Sequence, residues 1–103
     1  MDESTKEATE GWRWFSRDFV LGQERPEHRH ADAQLLYAMR GVMLVKSGTV
    51  RRIITPNQAL WIPAGTPHAI HFLSKTVMRT LYFAKAPERM RVLRTLSITP
   101  LIR

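Results

Sequence analysis

The sequence contains no cysteine among its 103 residues. This absence excludes disulfide bridges, thiolate nucleophiles and cysteine-ligated metal sites together, and it fits a reducing compartment. The chain also lacks any apolar run near the ~20 residues of a membrane span, and its first ten residues are acidic and polar, unlike a signal sequence. We therefore expect a soluble, cytoplasmic protein with no membrane partner, whose site uses imidazole, carboxylate, amide or backbone groups.

Acidic residues are scarce: nine Asp and Glu face 16 Lys and Arg, which gives a formal net charge of +7. Four of the nine acids lie in the first ten residues, so the remainder of the chain is more basic still. The arginines are scattered singly along apparent strands, without a basic helix or interleaved aromatic residues. We therefore expect no direct DNA contact by this chain, despite its charge.

The length suits one domain with a single core. Residues 1–11 have too little apolar surface to offset the entropy of ordering them, which predicts a flexible N-terminal arm. Seven later segments are rich in β-branched, aromatic or long apolar residues and are separated by turn-forming residues. These predicted strands are 12–21, 34–38, 42–46, 49–55, 59–62, 69–73 and 77–84. The pattern predicts an all-β fold, a closed or nearly closed antiparallel sandwich over residues 12–88.

The C-terminal segment has a different character. Residues 88–94 fit either a helical turn or a last strand. Thr99 suits an N-cap and Pro100 the first helical position, which predicts the start of a helix at residues 101–103. One turn is too short to form by itself, so we expect residues 89–103 to begin a linker that continues beyond this sequence.

Three histidines carry the strongest chemical signal. His28 and His30 are two residues apart, so on an extended segment they point to the same face. The turn at residues 63–67 leads into a strand that begins near His68, which can face the same interior. Three neutral imidazoles and one oxygen donor form a site suited to zinc, nickel, iron or copper. His71 has the opposite strand parity to His68, and we expect it to point outward.

The spacing of these residues resembles the paired motifs of the cupin family. The matching positions are Gly22, His28, His30, Gly41, Pro63, Gly65 and His68. The resemblance implies a small cupin (double-stranded β-helix, or jelly-roll) barrel and a divalent transition metal, Zn, Ni or Fe, bound by His28, His30, Gln34 and His68. Gln34 stands where cupins usually place a glutamate, and a neutral amide oxygen is a weaker donor. An organic ligand at these histidines, without metal, stays an open alternative.

The sequence around the motifs is similar to the N-terminal domain of AraC-type transcription regulators. The similar stretches are QLLYA at 34–38, GVM at 41–43, ALWIPAGTPH at 59–68, MRTLYF at 78–83 and VLRTLSITPLIR at 92–103. In that family the barrel precedes two helix-turn-helix motifs. The resemblance implies a domain that senses a small-molecule effector and forms a homodimer, with DNA bound only through a C-terminal helix-turn-helix domain absent from this sequence. Candidate effector contacts are Tyr37, Met43, Trp61 and Phe72, although large apolar residues in a barrel also serve as core.

Two other function classes stay open. The first is a stand-alone metal-dependent cupin enzyme, an oxygenase or isomerase. Enzymatic cupins of this kind present three histidines and a glutamate; here Gln34 replaces the glutamate, and no obvious second acid for proton transfer lies near the motifs. The sequence therefore favours a binding domain over an enzyme. The second is a dimerisation module with a vestigial site, supported by the apolar segment 42–45.

Overall fold

The computed structural model describes residues 12–84 and 90–98, and the backbone of residues 3–7. Within these residues the chain forms ten strands and no helix. The strands are β1 (Glu3–Glu7), β2 (Trp12–Phe19), β3 (Glu24–His28), β4 (Ala33–Arg40), β5 (Met43–Ser47), β6 (Val50–Ile54), β7 (Gln58–Ile62), β8 (His68–Phe72), β9 (Thr76–Phe83) and β10 (Arg94–Ser97). The all-β prediction is confirmed. In the described part of the chain, no helix has the length and apolar character required to cross a membrane.

The strands form two antiparallel sheets. One sheet has six strands in the order β1-β2-β9-β4-β7-β10, and the other has four in the order β3-β8-β5-β6. Their facing sides enclose one core, because inward and outward side chains alternate along each strand. The buried core cluster contains Phe15, Phe19, Leu36, Ala38, Met43, Val45, Ile54, Leu60, Ile62, Ile70, Phe72 and Met78. The four-stranded sheet carries two of the three candidate histidine positions, at the end of β3 and the start of β8.

Strand β8 shows how this alternation positions the chemistry. His68, Ile70 and Phe72 are buried, whereas the two residues between them are partly exposed. The outward prediction for His71 is met, because its Nδ1 lies 3.0 Å from Glu24 Oε2 on the outer side of the sheet. Polar His68 therefore enters the core as part of an otherwise apolar row.

The chain ends differ from their sequence-based expectations. Residues 3–7 form β1 paired with β2, where a flexible arm was predicted. Residues 94–97 form β10 paired with β7, so the described start of the predicted linker is a strand, not a helix. Both segments lie at the edges of the six-stranded sheet. Backbone hydrogen bonds can pair such edge strands even where the side chains show no apolar pattern. The predicted start of a helix at residues 101–103, with Thr99 and Pro100 before it, lies outside the described residues.

Gly41, between β4 and β5, has a structural role that no other residue type can fill. Its φ is +90°, in the left-handed region that favours glycine. A Cβ at this position would press on the carbonyl oxygen of Lys75 and would lie 2.7 Å from Thr76 Cα. Gly48 also has a positive φ, +58°, but a Cβ there would meet nothing within 4 Å.

We expect Gly41→Ala to lower the free energy of unfolding by roughly 2–4 kcal/mol, because backbone strain and a backbone clash act together. Gly48→Ala, the matched control, should cost about 1 kcal/mol from strain alone. Urea unfolding of both variants measures the difference. Equal losses in the two variants would show that close packing at Gly41 is unimportant.

Candidate metal centre

The pairing of β3 with β8 brings the three histidines together. His28 at the end of β3 lies opposite His68 at the start of β8, after a register irregularity that follows Arg25. His30 follows two residues after His28, and its carbonyl accepts a hydrogen bond from the Gly65 N–H at 2.8 Å. The loops that carry the two sequence motifs are thus fastened to each other beside the imidazoles.

The imidazoles form one compact cluster at this point of the barrel. One nitrogen of each ring lies within 4.8 Å of a nitrogen of each of the others. The ring centroids of His28 and His68 are 4.4 Å apart. The ring centroid of His30 lies 5.6 Å from that of His28 and 5.3 Å from that of His68. His68 is buried and the other two are partly buried. The structure therefore unites the three histidines that the sequence singled out.

Hydrogen bonds to backbone carbonyls determine which nitrogen of each imidazole carries the proton. In all three histidines Nδ1 lies within hydrogen-bond distance of a carbonyl oxygen two residues away. The acceptors are Pro26 at 2.9 Å for His28, Asp32 at 2.9 Å for His30 and Thr66 at 2.8 Å for His68. Since a carbonyl can only accept, Nδ1 must carry the proton, and a neutral ring then has its lone pair on Nε2.

This arrangement fits a divalent transition metal. Histidines that bind metals through Nε2 usually donate the Nδ1 proton to a carbonyl or carboxylate, which fixes the ring orientation. Within the described residues, His68 Nε2 is buried and has no hydrogen-bond partner. A buried lone pair without a donor is unfavourable unless a cation or ligand group satisfies it. His28, His30 and His68 are therefore suited to bind such an ion through Nε2.

Gln34 lies beside His30, as expected for a fourth ligand. Its side chain is buried on β4, and its Oε1 lies 3.0 Å from His30 Nε2. An amide oxygen this close to a ring nitrogen could bind the same ion as that nitrogen. Without a cation, this contact requires either a second proton on His30 or an amide turned so that its NH2 donates to the ring.

His68 has a strongly perturbed acidity. Its pKa is lowered from 6.5 to about 4, chiefly because burial disfavours the charged ring. The hydrogen bond to Thr66 opposes this shift, and positive charge at His28, His30 and Arg25 adds to it. His68 is consequently neutral near pH 7, and its Nε2 lone pair is available.

Met43 and Phe72 belong to the core beneath this cluster. They face each other across the β5–β8 pair, and both are almost completely buried. Phe72 stacks on Phe19 with a centroid distance of 3.9 Å and an interplanar angle of 8°. Both residues are part of the hydrophobic core, and their direct contact with an effector stays a prediction.

The structure does not bring Tyr37 and Trp61, two of the candidate effector contacts, to the histidine cluster. Their strand neighbours Leu36 and Leu60 are the inward, fully buried residues, so alternation turns Tyr37 and Trp61 to the outer face of the six-stranded sheet. Trp61 donates its Nε1 proton to the carbonyl of Met90 at 2.8 Å. Tyr37 lines an outer groove together with Trp12, Trp14, Arg79, Thr80 and Leu81. Contact of Tyr37 and Trp61 with an effector stays a prediction.

Sequence reasoning missed a group of residues on the opposite wall. The Tyr82 ring lies edge-on to His30, with 5.1 Å between centroids. Arg13 lies over Tyr82 at 4.1 Å, and its Nη2 lies 3.0 Å from Asp32 Oδ2. Strand parity on β2 and β9 was the available signal, because Arg13 and Tyr82 share the inward side with the core residue Phe15 and with Met78 and Thr80.

A comparison with protein-family models finds one match, described as Cupin domain, over residues 18–83. The chain belongs to the cupin family. The matched segment includes all four candidate ligand residues and strands β3 to β9. No curated protein matches the chain.

Solved structures confirm the cupin fold. A conserved protein of unknown function from Streptococcus pyogenes matches with a TM-score of 0.73 and 16% identity, covering 82% of this chain and 75% of that one. KdgF from Halomonas sp. matches at 0.72 and 20%, covering 84% and 90%. Bacillus subtilis oxalate decarboxylase, in a structure concerned with its Mn(II) centres, matches at 0.68 and 18% over 91% of this chain. The chain spans only 26% of that decarboxylase, and identities this low establish the fold alone.

The lowered pKa of His68 predicts a pH-dependent stability of the metal-free cupin domain. Between pH 6.5 and about 4 the unfolded chain binds a proton that folded His68 does not. The stabilisation is therefore complete above pH 6.5 and is lost as the pH falls toward 4. Urea unfolding across this range should show the decline, and His68→Gln should flatten it. His71→Gln is the control, and a slope that is unchanged in His68→Gln would contradict the assignment.

Proposed function

We propose that this cupin domain binds a divalent transition metal and presents it to a small-molecule effector, as the sensing domain of an AraC-type regulator. The ligands are Nε2 of His28, His30 and His68, with Gln34 Oε1 as the fourth. One observation supports the metal assignment: each Nδ1 lies within hydrogen-bond distance of a carbonyl, one nitrogen of each ring lies within 4.8 Å of the others, and His68 Nε2 is buried without a hydrogen-bond partner. A bound ion would supply a Lewis-acidic position for an oxygen of the effector.

The donor set favours zinc, nickel or iron(II). Imidazole suits all three ions, whereas magnesium and calcium prefer sets composed of oxygen. The set contains no carboxylate, so the protein ligands leave the charge of a divalent ion uncompensated. Because the fourth ligand is neutral, we expect moderate metal affinity, and we expect an anionic partner to stabilise the bound ion further.

The surroundings of the site favour binding over catalysis. A general acid or base must have a transferable proton or a free lone pair within reach of the reacting group. Asp32, whose backbone carbonyl accepts from His30, pairs its carboxylate with Arg13 at 3.0 Å. The chain's own groups at the centre therefore hold and orient the imidazoles, which supports a sensor over an oxygenase or isomerase.

A path of paired strands supports coupling between the centre and the C-terminal segment. Gln34 on β4 pairs with Ile62 on β7, and the adjacent Trp61 pairs with Arg94 on β10. Trp61 also holds Met90 through its hydrogen bond. An effector that favours one position of Gln34 can bias the segment leading out of the barrel, which a sensor requires.

We also propose that the domain forms a homodimer through the outer face of the four-stranded sheet. In the predicted apolar segment 42–45, Met43 and Val45 point into the core. Leu44 faces outward opposite Ile53, which is 57% exposed. This apolar pair on the outer face is the candidate interface, and measurement of the oligomeric state tests the assignment.

Elemental analysis by plasma mass spectrometry tests the metal assignment. We expect about one zinc, nickel or iron per chain in the tag-free protein, and a loss of that metal in His68→Ala, because His68 supplies a central ligand. His71→Ala, on the outer face of the same strand, is the control and should keep the metal. Circular dichroism establishes that both variants are folded. Metal retained in folded His68→Ala would contradict the proposed centre.

Gln34→Glu tests the fourth ligand separately. A carboxylate adds a compensating negative charge, so we expect metal affinity to rise at least about tenfold. Competition with a chelator of known affinity measures the change. Gln58→Glu, on the six-stranded sheet away from the histidines, is the matched control. Equal affinity in the Gln34→Glu variant and the unchanged protein would place Gln34 outside the ligand set.

A further inference from the structure

We propose that the effector of this centre is a small organic carboxylate and that Arg25 is the residue that recognises it. The proposal rests on the proposed function, and it names the chemical class of the molecule that the centre binds. The supporting features are a buried, unpartnered guanidinium nitrogen, a cavity shared by Arg25 and His28, and a ligand set without negative charge.

Arg25 reaches the interior from the strand that carries His28. It lies opposite Ile70, an inward residue of β8, two positions from His68 on that strand. Its guanidinium carbon is 5.4 Å from the ring centroid of Phe15 and 6.0 Å from that of Phe19. The guanidinium thus lies beside two aromatic rings, and the Arg25 side chain is partly buried.

One nitrogen of this guanidinium lacks an acceptor. Arg25 Nη1 is buried without a hydrogen-bond partner, and no described carboxylate forms an ion pair with Arg25. Buried charged donors are normally paired, because removing them from water without an acceptor is costly. Arg25 Nη1 can therefore donate a hydrogen bond to a bound molecule, because the described residues supply no acceptor for it.

An open cavity beside Arg25 provides the place for that acceptor. Its volume is about 470 Å³, and Arg25, His28, Phe19 and Pro26 line it. Arg17, Gln23, Glu24 and Glu27 complete the lining. Glu24 is engaged with His71 on the outer side, with 3.0 Å between the two groups, and Glu27 is exposed. A molecule in this cavity can reach both the guanidinium and the first histidine ligand.

The charge at the centre selects an anion. Three neutral imidazoles and the Gln34 amide offer no negative charge to a divalent ion, and Arg25 adds a positive one. The planar guanidinium fork matches a carboxylate with two parallel hydrogen bonds. The apolar wall formed by Phe19 and Pro26 favours an organic anion over inorganic phosphate.

Isothermal titration calorimetry of the zinc-loaded protein tests this assignment with benzoate and its neutral counterpart benzamide, and with acetate and malonate as further carboxylates. We expect benzoate to bind at least tenfold more tightly than benzamide. Arg25→Gln should weaken benzoate binding by about 10- to 100-fold, as expected for loss of a charge-assisted hydrogen bond, and leave benzamide binding and zinc content unchanged. Arg25→Lys should restore part of the loss. Arg51→Gln, an exposed arginine of β6, is the control and should change nothing.

Three results would overturn the proposal: benzoate binding that is unaffected in Arg25→Gln, no binding of any of the three carboxylates, or Arg25-dependent binding of phosphate in place of them. Failure of the metal centre is distinguishable. If the protein takes up no zinc, benzoate binding that still depends on Arg25 would uphold the carboxylate site and refute the metal assignment alone. If zinc binds normally and the carboxylates do not, the carboxylate assignment alone is refuted.

Discussion

The opposition of His28 and His68 across the β3–β8 pair is the constraint on which the site depends. The two residues are far apart in sequence, and no local preference would bring them together. The antiparallel register does so, and the hydrogen bond from the Gly65 N–H to the His30 carbonyl fastens the neighbouring loops. Any slip of this register by one residue would turn His68 outward and His71 inward, and would replace a buried lone pair with an exposed ring.

From that register the chemistry follows in short steps. Each imidazole donates its Nδ1 proton to a nearby carbonyl, which leaves Nε2 as the atom of each ring that can bind an ion. Burial keeps His68 neutral, and Gln34 brings an oxygen to the same point without bringing charge. The interior is consequently rich in donors for a cation and poor in negative charge. Arg25 adds a positive charge to this interior. A neutral ligand set and a nearby guanidinium together favour the binding of an anionic molecule in the barrel.

The sequence predicted those features that strand periodicity and motif spacing control. Seven of the ten described strands were expected near their observed positions, and parity placed His68 inward and His71 outward. Strand β3 was missed because ERPEH contains Pro26, lies at a sheet edge and lacks the alternation of apolar and polar residues that marks a strand in the sequence. The outward positions of Tyr37 and Trp61 could not be predicted, because β4 and β7 are apolar on both faces and periodicity does not identify the inward face. Edge strands β1 and β10 rely on backbone pairing, which composition does not reveal.

The protonation of the three rings tests the account most directly, since it is set by the fold before any ligand binds. Long-range ¹H–¹⁵N correlation spectra of the metal-free protein at neutral pH distinguish the two neutral tautomers of each histidine. We expect Nδ1–H tautomers for His28, His30 and His68, with all three Nε2 resonances moving when one equivalent of zinc is added. Nε2–H tautomers at His68 or at two of the three rings, or Nε2 resonances that zinc leaves unmoved, would contradict it.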